Sequence, residues 1–256
     1  MSSGNPKVSI ITPTYNSIKT VLNTYNSIRN QTYKNWEWLV TDDCSEDGTL
    51  DLLSNLSKND ERIRVFKNAE NSGAAVTRNN SLRQATGEFI AFIDSDDLWL
   101  PEKLRKQVEF MSNNEGVDFS FTAYELIDEK GNPLNQRVDL QGESFSVGYN
   151  DMLKKKATLG CSTVILKKNA FPDITMPLLR TGQDYALWLK LLKTGKKAHL
   201  VNQVLMQYRI LPNSISRNKF KKSKRQWSIY REIEKLPLHQ SIHCFCYYVW
   251  RAIFRK

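Results

Sequence analysis

Short apolar runs alternate along this chain with segments whose apolar residues return every three or four positions. Val8-Ser9-Ile10-Ile11-Thr12, Trp36-Glu37-Trp38-Leu39-Val40-Thr41, Ile63-Arg64-Val65-Phe66 and Phe89-Ile90-Ala91-Phe92-Ile93 read as strands. Between them Val21, Leu22, Tyr25 and Ile28, then Leu50, Leu53 and Leu56, then Ala75, Asn79, Leu82 and Ala85 keep helical spacing. Pro13 is expected to close the first strand, because it cannot donate to a ladder, and Gly87 to close the third helix. Strand and helix alternating at these lengths predict βαβ units around a mainly parallel sheet. The second half is less regular. Strands are expected at 117–121 and 162–166, and a helix from Pro101. The stretch 135–150 reads as a loop or weak hairpin. After Gly182-Gln183-Asp184 comes an amphipathic helix with Tyr185, Trp188, Leu191 and Leu192 on one face, ending near Gly195.

The strand 89–93 runs directly into Asp94-Ser95-Asp96-Asp97. Open α/β sheets place ligands beyond the carboxyl ends of their strands, where Asp94 and Asp96 would emerge. Three carboxylates within four residues repel one another unless a cation or protons offset them. Hard oxygen ligands suit Mg²⁺ or Mn²⁺, which take their remaining ligands from water and substrate phosphates. A solvated acidic cap for the following helix is the plainer alternative. The strand at 36–41 also ends in acids, Asp42 and Asp43, so two acidic strand ends would meet at one rim. Asp184, at the first turn of its helix, is by itself well explained as a cap.

Charge changes the picture through its placement. The net charge is +10 over 256 residues, yet residues 211–256 hold 11 Lys and Arg against 2 Glu, which leaves the rest nearly neutral. A nucleic-acid-binding domain would carry its basic residues on the folded body, so no nucleic acid partner is expected. Four cysteines without paired spacing argue against structural zinc and a disulfide framework, and favour the cytoplasm. No signal peptide is apparent.

Five stretches taken together resemble the family 2 inverting glycosyltransferases with a GT-A nucleotide-binding fold. They are Val8 to Asn16, Val40 to Thr49, Asn71-x-Gly73 with Arg78-Asn79, Asp94 to Asp97, and Gln183-Asp184-Tyr185-x-Leu187-Trp188. Asp97-Leu98-Trp99-Leu100-Pro101-Glu102-Lys103-Leu104 and Asp184 to Lys190 are similar to the subgroup that builds teichuronic acid, capsule and O-antigen. The resemblance implies a GT-A domain over 1–216, with 7–110 as nucleotide-binding half and 111–216 as acceptor half. It implies a UDP-sugar donor and a polyprenyl-diphosphate-linked glycan acceptor. Pro13, Thr14, Tyr15, Asp43, Arg78, Asp94 and Ser95 would bind the nucleotide, with Asp43 accepting the uracil N3–H. Asp94 and Asp96 would hold Mn²⁺ or Mg²⁺, Asp184 would be the general base, and Arg209 a contact for the diphosphate. Two positions depart from the family: Gln183 stands where relatives usually have Glu, and Leu211 where many have His. The Gln-x-x-Arg-Trp pattern of processive members is missing, which favours addition of a single sugar.

Residues 217–256 form a basic segment followed by Ile242, Phe245, Val249, Trp250 and Ile253 at helical spacing. The apolar run falls short of the ~20 residues a span requires. It is expected to lie on the inner face of the cell membrane, or else to cover the domain's own core. Two other functions fit parts of the chain. A haloacid-dehalogenase-type phosphatase also uses Asp-x-Asp, but on the first strand, which here ends in Thr12-Pro13. A noncatalytic membrane- or nucleic-acid-binding protein leaves the carboxylates unexplained.

Overall fold

The computed structural model describes residues 5–142, 144–211 and 219–254. The first half follows its hydrophobic pattern: β1 (Val8–Thr14), α1 (Val21–Arg29), β2 (Trp36–Asp42), α2 (Thr49–Asn59), β3 (Ile63–Lys67), α3 (Gly73–Arg83) and β4 (Phe89–Phe92). Then come β5 (Leu98–Trp99), α4 (Lys103–Asn113), β6 (Phe119–Ile127), β7 (Pro133–Val138), β8 (Ser146–Val147) and α5 (Tyr149–Leu153). β9 (Ile165–Lys167), α6 (Gln183–Leu192), β10 (Ala198–Arg209), α7 (Lys219–Ser228) and α8 (Leu238–Phe254) complete it.

One ten-stranded sheet runs β3-β2-β1-β4-β9-β6-β10-β5, with β7 on β6 and β8 on β10. The expectation of a mainly parallel sheet is corrected here. β3, β2, β1 and β4 are parallel, but β9 is antiparallel to both β4 and β6, and β5, β7 and β8 are antiparallel to their neighbours. The sheet is mixed. Within the parallel half the pleat divides each strand between two cores. Ile11, Leu39, Ile90 and Phe92 face α3 and α6, while Ile10, Trp38, Val40, Ala91 and Ile93 face α1 and α4.

Pro13 does not end β1. It stays in register with Thr41 of β2, while pairing with β4 stops at Ile11 and Phe92. The Ile11 carbonyl accepts the Ile93 N–H at 3.1 Å, so two residues on Pro13 faces the side where β4 has already ended. Its missing N–H leaves no bond unmade, and it borders the cleft that opens there. Gly87 is needed for close approach: a Cβ there would lie 2.6 Å from the Lys7 carbonyl oxygen.

α6 is buried nearly all round, from Tyr185 through Leu189 and at Leu191 and Leu192, rather than along one face. The 135–150 stretch contains the end of β7 and the start of α5, with β8 between. The expected boundary at 216/217 lies outside the described residues. Beyond it, a π-helical turn (Ile229–Ile233) follows α7, and Ile229, Tyr230, Leu236 and Cys244 join the core on the α6 side. The C-terminal segment is therefore packed on the domain through this stretch.

Candidate active site

At the carboxyl ends of β1, β2 and β4 lies a cleft of about 620 Å³, lined by Pro13, Thr14, Tyr15, Asp43, Asp94, Ser95 and Asp96 among others. Seven of the residues expected at the site thus share one cavity. Tyr15 leaves the end of β1 with 53 % of its surface exposed, so its ring face is available for stacking. The β1–α1 loop that carries it is held from below. Asn16 N–H donates to Ser45 at 2.8 Å, Ser17 N–H to Thr49 at 2.9 Å, and Ile18 N–H to the Asp47 carboxylate at 3.0 Å. Across the cleft the Ser17 and Ser95 hydroxyls meet at 2.8 Å and tie this loop to the Asp94–Asp97 turn.

Asp43 serves the fold and the cleft together. Its carboxylate accepts the Ser72 and Gly73 N–H groups at the start of α3, both at 2.8 Å, and the Asn68 amide at 2.6 Å. A carboxylate has about four acceptor positions, so one remains for a ligand. The Asn71-x-Gly73 pattern is explained by this cap: Asn71 also donates to the Asp43 carbonyl at 3.2 Å, and Gly73 takes a φ of +82°. Asn79 fastens α3 to the segment leading to α6, exchanging two bonds with the Met176 backbone at 2.8 and 2.9 Å.

The turn after β4 is fixed by a residue that the sequence did not single out. Ser162 accepts the Asp94 N–H at 3.0 Å and donates to Asp97 at 2.5 Å. Asp97 is almost wholly buried and also accepts the Arg209 N–H at 3.1 Å. Burial, then the charges of Asp96 and Asp94, push its carboxyl well above the usual range. Asp97 supports the turn and is shut off from the cleft. Asp96 is pushed up to about 6, first by burial and then by Asp94, and Arg209 and Arg78 offset this only in part.

Arg78 does not line the cleft. Its side chain lies behind Asp94, 5 % exposed, and pairs with that carboxylate through Nη2. Burial alone would lower its guanidinium, but Asp94 in particular holds it above the ordinary value, and Asp184 adds to the effect. Asp184 and Asp94 also both act on the buried Cys161 thiol, which burial pushes well up. Asp184, at the first turn of α6 and partly exposed, is not among the residues that line the cleft; its charge reaches the buried Arg78 guanidinium behind Asp94. Arg209 is engaged elsewhere: Nε donates to the Asp96 carbonyl at 2.8 Å, and Nη1 to the Glu129 and Asp128 carbonyls at 2.9 and 3.3 Å. It braces the acidic turn from behind, and Leu211 lines the cleft beside it.

A divalent cation fits this donor set as a partial one. Two carboxylates meet at the cleft, one of them pushed up by the other, and a cation would relieve that repulsion. Among the described residues no three His, Cys, Asp or Glu side chains form a ready-made ligand group, so phosphate and water would complete the shell.

The chain belongs to glycosyl transferase family 2, which it matches over residues 9–173. It is a glycosyltransferase of GT-A-like fold, which removes the phosphatase and noncatalytic readings. It is 43 % identical over its full length, and that of its relative, to a Bacillus subtilis protein named for teichuronic acid biosynthesis, TuaG. It is 37 % identical to the Escherichia coli UDP-Glc:alpha-D-GlcNAc-diphosphoundecaprenol beta-1,3-glucosyltransferase WfgD, covering 94 % of this chain and 92 % of that one. Among solved structures, S. aureus TarS 1-349 with UDP-GlcNAc superposes with a TM-score of 0.71 at 22 % identity, over 93 % of this chain and 70 % of that one. The Pyrobaculum calidifontis mannosyltransferase PcManGT with GDP-Man and Mn²⁺ gives 0.70 at 18 %, over 92 % and 66 %.

Proposed function

We propose that this enzyme moves one sugar, with inversion, from a UDP-sugar to a polyprenyl-diphosphate-linked glycan during surface polysaccharide synthesis. The observation that carries the reading is the convergence of Asp43, Asp94 and Asp96 on the Tyr15 cleft; Asp184 lies outside that lining, at the first turn of α6, within electrostatic range of Arg78. WfgD supports the donor and acceptor classes, since its name specifies UDP-Glc and a diphosphoundecaprenol-linked sugar. In this reading uracil stacks on Tyr15 against Pro13 and gives its N3–H to the open acceptor position of Asp43. Thr14 and Ser95 frame the nucleoside, and Asp94 and Asp96 face the diphosphate.

Asp184 takes the proton of the acceptor hydroxyl as that oxygen attacks the anomeric carbon from the side opposite UDP. The bond to UDP breaks with its electron pair leaving on the diphosphate. A divalent cation bound at Asp94 and Asp96 would supply positive charge where that charge develops. Arg78 contributes by position, holding Asp94 in place rather than touching the nucleotide.

The test is Asp184→Asn. Transfer should fall by about two to four orders of magnitude, while titration calorimetry shows UDP-sugar binding unchanged. Turnover near the wild-type rate would remove Asp184 from the mechanism. Release of UDP from a panel of UDP-glucose, galactose, GlcNAc, GalNAc and glucuronate with Mn²⁺ identifies the donor.

A further inference from the structure

The outer face of α8 has no partner among the described residues except at its margin, where Lys154 lies over the Tyr247 ring at 5.3 Å. α8 is 17 residues long, about 25 Å, and contains neither Asp nor Glu. Its inner side is fixed: Ser241 and Cys244 are buried, and Phe245 packs edge-on to Trp227 of α7 at 5.4 Å. The helix therefore cannot roll its other side onto the domain. That other side presents Leu238, Ile242, Val249, Trp250 and Phe254, with Tyr247 at its margin, all exposed, Trp250 at 56 % and Phe254 at 62 %. An apolar and aromatic stripe of this size, interrupted only by the exposed His239, Cys246 and His243 on the same arc, marks a contact.

We propose that this stripe docks the enzyme on an anionic lipid bilayer, lying flat in the headgroup layer. No described helix is long and apolar enough to cross a membrane, and a helix with one apolar face attaches by lying in the interface plane. Charge selects lipid over a second copy of the chain. The exposed charged side chains of the segment leading into α8 are mostly basic, with Lys224, Arg231 and Lys235 against Glu232. The other acid of the segment, Glu234, is turned inward onto Lys193 at 2.8 Å with 2 % of its side chain exposed. Two such surfaces would repel each other, whereas lipid phosphates would be attracted. Tyr247 and Trp250 suit that boundary, each an apolar ring with one polar atom.

The experiment uses the full chain and sedimentation with vesicles of phosphatidylcholine, alone or mixed with phosphatidylglycerol. The wild type should sediment with the mixed vesicles and much less with phosphatidylcholine alone. A Trp250→Gln, Phe254→Gln variant should partition roughly a hundredfold more weakly, with unchanged melting temperature and unchanged UDP release from UDP-glucose. Wild-type protein that stays in the supernatant overturns the proposal, as does a variant that sediments normally or equal sedimentation on both vesicle types. A wild-type dimer that the two substitutions dissolve into monomers would instead make the stripe a contact between copies. The vesicle readout needs no sugar substrate, so it stands apart from the proposed chemistry.

Discussion

Arg78 and Asp94 are paired but unequally buried, and this decides which is costlier to lose. The Arg78 side chain is 5 % exposed and that of Asp94 31 %. Asp94→Asn would strip the nearest counter-charge from a buried guanidinium whose Nε and Nη1 have no hydrogen-bond partner among the described residues. Breaking a buried pair from that side costs about 3–5 kcal/mol, and the weaker attraction of Asp184 places this case near the lower end. Arg78→Met removes the buried charge itself and leaves Asp94 where water reaches it, at a cost of about 1–2 kcal/mol. The difference of about 2 kcal/mol corresponds to roughly 4–8 °C in the unfolding midpoint for a chain of this size. Thermal and urea unfolding of both single variants and the double variant, read as a double-mutant cycle, measures it. If Arg78→Met is as unstable as Asp94→Asn, or the coupling energy is near zero, the burial argument is wrong. UDP-sugar affinity should fall in Arg78→Met even though Arg78 is outside the cleft, because Asp94 is then free to turn away.

Two further outcomes follow from titrating groups. The Asp96 carboxyl, raised by burial and by Asp94 to about 6, binds its proton more tightly folded than unfolded. Native stability should thus decline as pH rises through that value, and a cation competing with the proton should bind better above it. The thermal shift given by Mn²⁺ with UDP should be larger at about pH 7 than at about pH 5, and chelation or Asp96→Asn should abolish it; a shift independent of pH would refute the assignment. Glu37 behaves oppositely. Burial alone would raise it, but the Ser9 hydroxyl at 2.6 Å, the Thr86 N–H and hydroxyl at 2.8 Å and Lys7 at 3.1 Å hold it down at about 2. Its contribution is present above the unfolded value of 4.5 and disappears as pH falls toward about 2. Glu37→Gln should destabilise the neutral protein by about 3 kcal/mol, a gap that urea titrations should find nearly closed only at about pH 2.

The strands of the parallel half are legible because each is a short, mostly apolar run bounded by turn residues. Pairing direction is not. β9 opens on two buried apolar residues as β4 does, and nothing local in Ile165-Leu166-Lys167 records that it runs against both neighbours. β10 escaped notice for another reason: its register on β6 shifts twice between Val201 and Met206, and each shift breaks the alternation that identifies a strand. At the site, carboxylates advertise themselves at strand ends, and Asp43, Asp94 and Asp96 were found that way. Ser162 carries no such mark, since a serine that braces a turn 65 residues away looks like any other. The resemblance implies Arg78 and Arg209 as ligand contacts, and no local pattern in the sequence records their burial. Their positions make them supports of the acidic turn.

Gly182 caps α6 with a φ of +77°, and a Cβ there would come 3.0 Å from Arg225 Cδ and 3.2 Å from Ile229. The C-terminal segment therefore rests on the very turn from which Asp184 projects. A shortened enzyme lacking that segment would lose the weight that seats the turn before Asp184, so its inactivity would say nothing about lipid. Exchange of C-terminal segments between relatives would succeed only where the donor brings a residue able to lie flat over a glycine at this point.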